Sequence, residues 1–329
     1  MKKIMTILYT SLLVLTLAAC GSDTAGDTDG DKNTFEIYTT VFPLKSFVEQ
    51  IGGDTVDVET IYPNGVDIHS YEPTQKEMLD FAAGDLFVYT TEQFDPVAEK
   101  IKNAVGEHSN FFAAGKVISE DDFIEMHEGH NHEDGEHGHD HDSENGDEAH
   151  DHGHDHGSED PHIWLDPNFS LQMAESIKDK LVDMNPEQEQ LYNENFETLK
   201  NDLEDIDSKF KTITESPERD TVYISHESLG YLADRYHFNQ VGITGMNNQE
   251  PSQQELVEII ENVEAQDAPY ILYEQNLTSK IADTIRQETG TEPLEFHNLA
   301  VLTDRDREDA TYQSIMRENI EVLDKALNE

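Results

Sequence analysis

The chain reads as an α/β protein with two (β/α) lobes of similar topology joined by one long rigid helix, and three features of the sequence say so. Short apolar runs alternate with amphipathic stretches from Thr34 to Ile118, and the same alternation returns from Val222 onward. Between the two blocks lies a stripe of apolar residues at helical spacing. Strand and helix in alternation imply a parallel sheet covered by helices. A stripe that steps by three and four implies a helix with one buried face.

Taken in order, residues 1–20 stand outside the fold. Lys2 and Lys3 give a positive start, and Ile7 to Leu17 form an apolar core too short to span a bilayer as a permanent helix. Leu17-Ala18-Ala19-Cys20 then resembles a bacterial lipobox, the signal after which the cysteine is lipidated and becomes the mature N-terminus. The alternative is an ordinary secretory peptide with a chance cysteine. Cys20 is the only cysteine of the chain, so no disulfide forms and no second thiolate is left as ligand or nucleophile. Residues 21–33 read as a flexible acidic tether. Its Asp27-Thr28-Asp29-Gly30-Asp31 fails as a calcium loop, because Lys32 stands where the turn glycine belongs and Tyr38 where the bidentate glutamate belongs.

The first lobe is expected over 34–185. Phe35–Thr40, Val56–Tyr62 and Leu86–Thr91 read as strands, with helices near Pro43–Ile51, Thr74–Phe81 and Pro96–Val105. Thr74 with Glu77 makes a capping box for the second helix. An acidic loop, 119–159, interrupts the lobe as an insertion. From Pro167 the pattern is helical, breaks at Pro186, and resumes as Leu191, Phe196, Leu199, Leu203, Ile206, Phe210 and Ile213, which predicts a linking helix over 186–214. The second lobe, 219–329, shows strands at Val222–Ser225, Gln240–Thr244, Tyr270–Glu274 and Pro293–Phe296. Its helices fall near Glu227–Tyr236, Ser252–Glu264, Thr278–Thr289 and Glu308–Leu327, with Ser252 and Glu255 as a second capping box. The crevice between such lobes is the expected ligand site.

Composition narrows the function. Of 329 residues only 21 are Lys or Arg, and the net charge is −50. That argues against nucleic acid as a partner, because phosphate backbones demand cations. The acidic balance suits attraction of cations. The loop stretch from His127 to Gly157 holds ten histidines, His127, His130, His132, His137, His139, His141, His150, His152, His154 and His156, among eleven acidic residues. It has no lysine or arginine and cannot bury enough surface to order itself. Neutral imidazole is a common ligand for zinc, copper and nickel, so the tract is read as a low-affinity metal-binding loop. The competing readings are a solvated acidic spacer and a pH-sensitive tract without a ligand.

Three histidines outside the loop have distinct contexts. His69 follows a strand in Asp67-Ile68-His69-Ser70-Tyr71-Glu72-Pro73-Thr74. His162 lies just after the loop in Asp160-Pro161-His162-Ile163-Trp164-Leu165-Asp166-Pro167. His226 closes the strand that begins at Val222. In open parallel sheets ligands gather at the carboxyl ends of strands, where at least two of these sit. Any one alone is more often a satisfied or exposed histidine than a ligand, and His108, His237 and His297 are left to that reading.

These motifs, with the lipobox, the His-rich insertion, Gly245 to Ser252, and Thr311-Tyr312 to Asn319, run in order through nearly the whole mature chain. Together they resemble the zinc-binding lipoproteins of metal ABC importers, the solute-binding cluster with ZnuA-like and AdcA-like members. The resemblance implies one Zn2+ held in the cleft by His69 and His162 from the first lobe and His226 from the second. It also implies an ABC-transporter permease with its ATPase as partner, a lipid anchor on the outer face of the bacterial cytoplasmic membrane, and a monomer. Manganese members place a carboxylate where His226 stands, and three imidazoles favour zinc over manganese. Some zinc members add a carboxylate ligand before the last helix; the matching position here is Ala300, which has no ligand atom and leaves the fourth place to water or to a group from elsewhere such as a loop histidine.

Asp166, Glu227 and Glu274 are candidates to orient the ligand imidazoles, or are merely strand-end carboxylates. An enzyme is not expected. His226-Glu227 lacks the second histidine of HExxH, since Gly230 stands there, and the loop misses both that spacing and its inverse. A lipid-anchored zinc scavenger or reservoir, or an adhesin, is the alternative to transport.

Overall fold

The computed structural model describes residues 34–105, 110–124, 159–246, 248–275 and 279–329. Two four-stranded parallel sheets organise it. The first is built from β1 (Phe35–Thr39), β2 (Val56–Thr60), β3 (Leu86–Tyr89) and β4 (Phe111–Ala113), in the order β2-β1-β3-β4. Phe35 faces Val56, Ile37 faces Leu86 and Phe87 faces Phe111. Its helices are α1 (Phe42–Gly52), α2 (Gln75–Phe81) and α3 (Pro96–Val105).

The second sheet repeats this plan. β5 (Thr221–His226), β6 (Asn239–Thr244), β7 (Tyr270–Glu274) and β8 (Glu292–Phe296) are ordered β6-β5-β7-β8. Between the sheets in sequence run α4 (Pro167–Met184) and α5 (Glu189–Thr214). The second sheet carries α6 (Gly230–Tyr236), α7 (Gln253–Ala265), α8 (Lys280–Thr289) and α9 (Tyr312–Asn328). β3 and β5 are buried along their whole length, as central parallel strands with helices on both faces must be. The two-lobed α/β class is therefore the one observed.

α5 spans 26 residues and rises about 39 Å at the α-helical 1.5 Å per residue. Tyr192, Phe196, Leu199, Leu203, Ile206 and Phe210 form its buried stripe. It packs against α1, α4 and α9. The last helix also reaches back to the first lobe: the Tyr312 ring lies 5.0 Å from that of Phe47, and Tyr312 N donates to Ser46 Oγ. The larger hydrophobic core accordingly runs from Ile37 in β1 to Leu327 in α9, and a smaller one gathers Tyr223, Ile259 and Ile271 in the second lobe.

Two helices begin later than the sequence pattern suggests. α6 starts at Gly230 rather than Glu227, because Glu227 N donates to Thr244 O and Leu229 N to Gln240 Oε1, which holds the chain in a bend after β5. α9 starts at Tyr312 rather than Glu308, because Thr311 and Ser314 cap each other reciprocally. Both predicted capping boxes form: Thr74 with Glu77, and Ser252 with Glu255.

Candidate metal centre

His69, His162 and His226 come together where the loop after β2, the segment before α4 and the end of β5 meet. One ring nitrogen from each lies within 4.8 Å of the others. The ring centroids are 5.6 Å apart for His69 and His162, 5.4 Å for His69 and His226, and 5.0 Å for His162 and His226. No other comparable group of three His, Cys, Asp or Glu exists among the described residues.

Local chemistry sets each ring. His69 sits in the loop after β2, where Asp67 Oδ1 accepts from His69 N at 3.0 Å and closes an Asx turn. His162 is held by Asp160, whose Oδ1 accepts from the His162 backbone N–H at 2.9 Å and pairs with ring Nδ1 at 2.7 Å. Asp160 is itself pinned, since its N–H donates to Ile124 O and its carbonyl accepts from Tyr231 Oη of the second lobe. His226 ends β5, and its Nδ1 meets Glu274 Oε2 at 3.1 Å while its Nε2 meets the Met246 carbonyl at 2.8 Å. Glu274 also accepts from Ser228 Oγ at 2.5 Å and from Asn298 Nδ2 at 2.7 Å.

The three imidazoles differ electrostatically. His162 and His226 are buried, and His69 stands at the exposed side of the cluster. Even so, the His69 ring is pushed down to about 4, first by loss of water around it and then by the His162 and His226 imidazoles, with Asp67 and Glu274 opposing. Burial would lower His226 as well. The Glu274 carboxylate and the bonds to Glu274 and Met246 outweigh it and raise His226 to about 9. Both of its nitrogens face acceptors, which is the arrangement of an imidazolium. Burial alone would raise Glu274, but His226 chiefly, with Ser228 and His162, holds it below the usual carboxylate range.

His162 Nε2 is buried with no hydrogen-bond partner. Leaving a polar atom so placed costs roughly 1–3 kcal/mol, and a ligand atom poised for a cation is the simplest reason for it. Three nitrogens on a tetrahedral zinc would stand about 3.4 Å apart, given Zn–N bonds near 2.05 Å. The ligand nitrogens, all within 4.8 Å of one another, are thus near the spacing that zinc requires.

The carboxylates singled out in the sequence divide. Glu274 bonds an imidazole. Asp166 does not: it caps α4 through Asn168 N and Phe169 N and pairs with Arg235, so it serves the helix start. Glu227 lies in the bend after β5, with its backbone on Thr244 O. The carboxylate at His162 is Asp160, which sequence reasoning left without a role, although an Asp two residues before a His is an Asx-turn signal. Gly230 was also missed; any Cβ there would collide with Asp160 Oδ2. Ala300 is buried, with its N–H on Asn298 Oδ1 and its carbonyl accepting from Phe42 N. His297 meets Asp306 and accepts from Leu299 N, which accounts for it structurally. Cys20, His108 and the ten loop histidines lie outside the described residues.

Two like α/β lobes, a long helix beside them and a three-histidine cluster drawn from both are the features of a two-lobed solute-binding protein. The chain belongs to the family described as zinc-uptake complex component A, periplasmic, whose model matches residues 37–326. It is 31% identical over 317 residues to the high-affinity zinc uptake system protein ZnuA of Bacillus subtilis, covering 95% of this chain and 94% of that one. It is 29% identical over 327 residues to the zinc-binding lipoprotein AdcA of Streptococcus pneumoniae, covering 98% of this chain but only 60% of that protein. Among solved structures, the AdcAII protein of Streptococcus pneumoniae superposes with a TM-score of 0.72 at 26% identity, over 89% of this chain and 99% of that one.

Proposed function

We propose that this protein is the zinc receptor of an ABC-type importer, which captures Zn2+ outside the cell and hands it to a membrane permease with its ATPase. The observation that carries the reading is the convergence of His69, His162 and His226 on one point, with a buried His162 nitrogen left unpartnered. In this reading the three imidazoles bind the ion, and Asp160 and Glu274 fix two of the rings by their far nitrogens. Water completes the tetrahedron, since Ala300 offers no ligand atom. His226 surrenders a proton and its bond to the Met246 carbonyl as zinc enters. The acidic His-rich loop raises the local metal concentration, and Cys20 tethers the monomer to the outer face of the membrane. No step of this cycle makes or breaks a covalent bond in a substrate, so the protein acts as a receptor and not as an enzyme.

Competitive zinc titration with elemental analysis, on protein lacking residues 127–157, tests this. One tight zinc per chain that survives the deletion and vanishes when the three histidines are replaced supports it. Loss of tight binding with the loop alone overturns it. A scavenger or adhesin differs in one assay: growth under zinc chelation would not depend on the gene.

A further inference from the structure

The chain carries an internal repeat whose two copies each follow a loop that reaches the histidine cluster. Residues 72–79 read Glu-Pro-Thr-Gln-Lys-Glu-Met-Leu, and residues 250–257 read Glu-Pro-Ser-Gln-Gln-Glu-Leu-Val. Each follows the edge strand of its sheet, β2 or β6, and opens the helix that leads to the third strand, β3 or β7. Each forms the same capping box. Side-chain exposure also matches position by position. Glu77 and Glu255 fold back on their caps, Met78 and Leu256 turn inward against the core, and the next residue turns out. That residue is Leu79, 59% exposed, in α2 and Val257, 53% exposed, in α7.

A single exposed aliphatic side chain needs no explanation. The same position exposed twice, in topologically equivalent helices, is different. It builds one patch in two copies, and a two-fold surface suits a partner that is itself two-fold. The location adds to this. The loop after β2 carries His69, and the loop after β6 carries Met246, whose carbonyl holds His226. The two loops touch through Asn248 Nδ2 and Asp67 Oδ2 at 3.3 Å. The helices that follow them therefore start beside the histidine cluster, one from each lobe.

We propose that Leu79 and Val257 are paired apolar contacts that seat the loaded protein, cleft mouth first, on the external face of a permease made of two like subunits. This rests on the importer reading. Each subunit would offer a small apolar socket in a basic surround, since a chain of net charge −50 needs cationic complementarity to approach closely. Apolar anchors at a docking surface dominate its lifetime, while the surrounding charges set the encounter.

The test uses the full lipoprotein with permease and ATPase reconstituted in vesicles, with zinc as the probe. Zinc-dependent ATPase activity is measured against receptor concentration for wild type, Leu79→Asp, Val257→Asp and the double variant. The receptor concentration at half-maximal activity should rise about fivefold for each single change and roughly multiplicatively for both, as for separated interface anchors. Solution zinc affinity should stay at the wild-type value. Val117→Asp, at an exposed aliphatic in the turn after β4, is the control and should leave the half-maximal concentration unchanged. If wild type itself fails to stimulate the transporter, the importer reading falls. If wild type stimulates and the double variant matches it, the docking proposal falls alone. Sedimentation decides a further case: wild-type self-association abolished by the double variant would assign the patches to a second copy of this chain and overturn the proposal.

Discussion

Asp160 grips His162 twice with one oxygen, accepting from its backbone N–H at 2.9 Å and pairing with its ring at 2.7 Å. The imidazole thus inherits its orientation from a turn that is closed before any ion arrives.

Asp160→Ala should lower zinc affinity about 10–100-fold, the usual cost of losing a carboxylate behind a ligand histidine. Competition against a chelator of known affinity measures it. An affinity within twofold of wild type would show that the His162 ring is set by packing on Trp164, whose ring lies 5.4 Å away.

Gly230→Ala tests the same carboxylate from the other lobe. The added methyl collides with Asp160 Oδ2, so the turn or α6 must shift. Overpacking of this kind costs about 1–3 kcal/mol. The urea midpoint of the metal-free protein should fall accordingly, and zinc affinity should fall with it.

The pH dependence follows from two histidines moved in opposite directions. His226 is raised from 6.5 to about 9, so the folded state holds the extra proton between those values. Its contribution is complete below pH 6.5 and is lost as pH rises through about 9. His69 is lowered to about 4, so the unfolded chain binds the extra proton between about 4 and 6.5, and stability falls as pH drops through that window. Urea midpoints of the metal-free protein should therefore decline on both sides of about pH 6.5 from these two groups. Zinc must displace the His226 proton, so calorimetry at pH 7.5 in buffers of different ionisation enthalpy should show close to one proton released per zinc. Zero release would mean that His226 is already neutral.

Asn298→Ala should loosen the carboxylate behind His226. Its side chain donates to Glu274 Oε2, whereas its backbone carbonyl, which accepts from Trp164 Nε1 at 2.8 Å, is kept by alanine. Removing the amide strips a buried carboxylate oxygen of a donor, which costs about 1–3 kcal/mol. Denaturant melts should show that loss, and zinc affinity should drop several-fold because Glu274 no longer holds His226 as firmly.

The fold was largely legible because its signals are local. Alternating apolar runs, the α5 stripe and the Thr74–Glu77 and Ser252–Glu255 caps each act within a few residues of sequence. The gathering of the three histidines was legible only through resemblance, because no spacing in the chain tells that residues 69, 162 and 226 meet. Their supports were harder still. Gly230 matters through a carboxylate 70 residues away, and Met246 acts through its backbone carbonyl, which any residue possesses. The ends of α6 and α9 slipped because long-range bonds to Gln240 and the Thr311–Ser314 cap override helical periodicity.

The stripe of α5 that feeds the larger core, shared by both lobes, has a consequence for denaturation. Neither half can melt while the other stands, because Tyr192 to Phe210 would be stripped of its cover on both sides. Calorimetry of the metal-free chain should therefore trace one sharp endotherm, and a protease should find no surviving half-molecule to release.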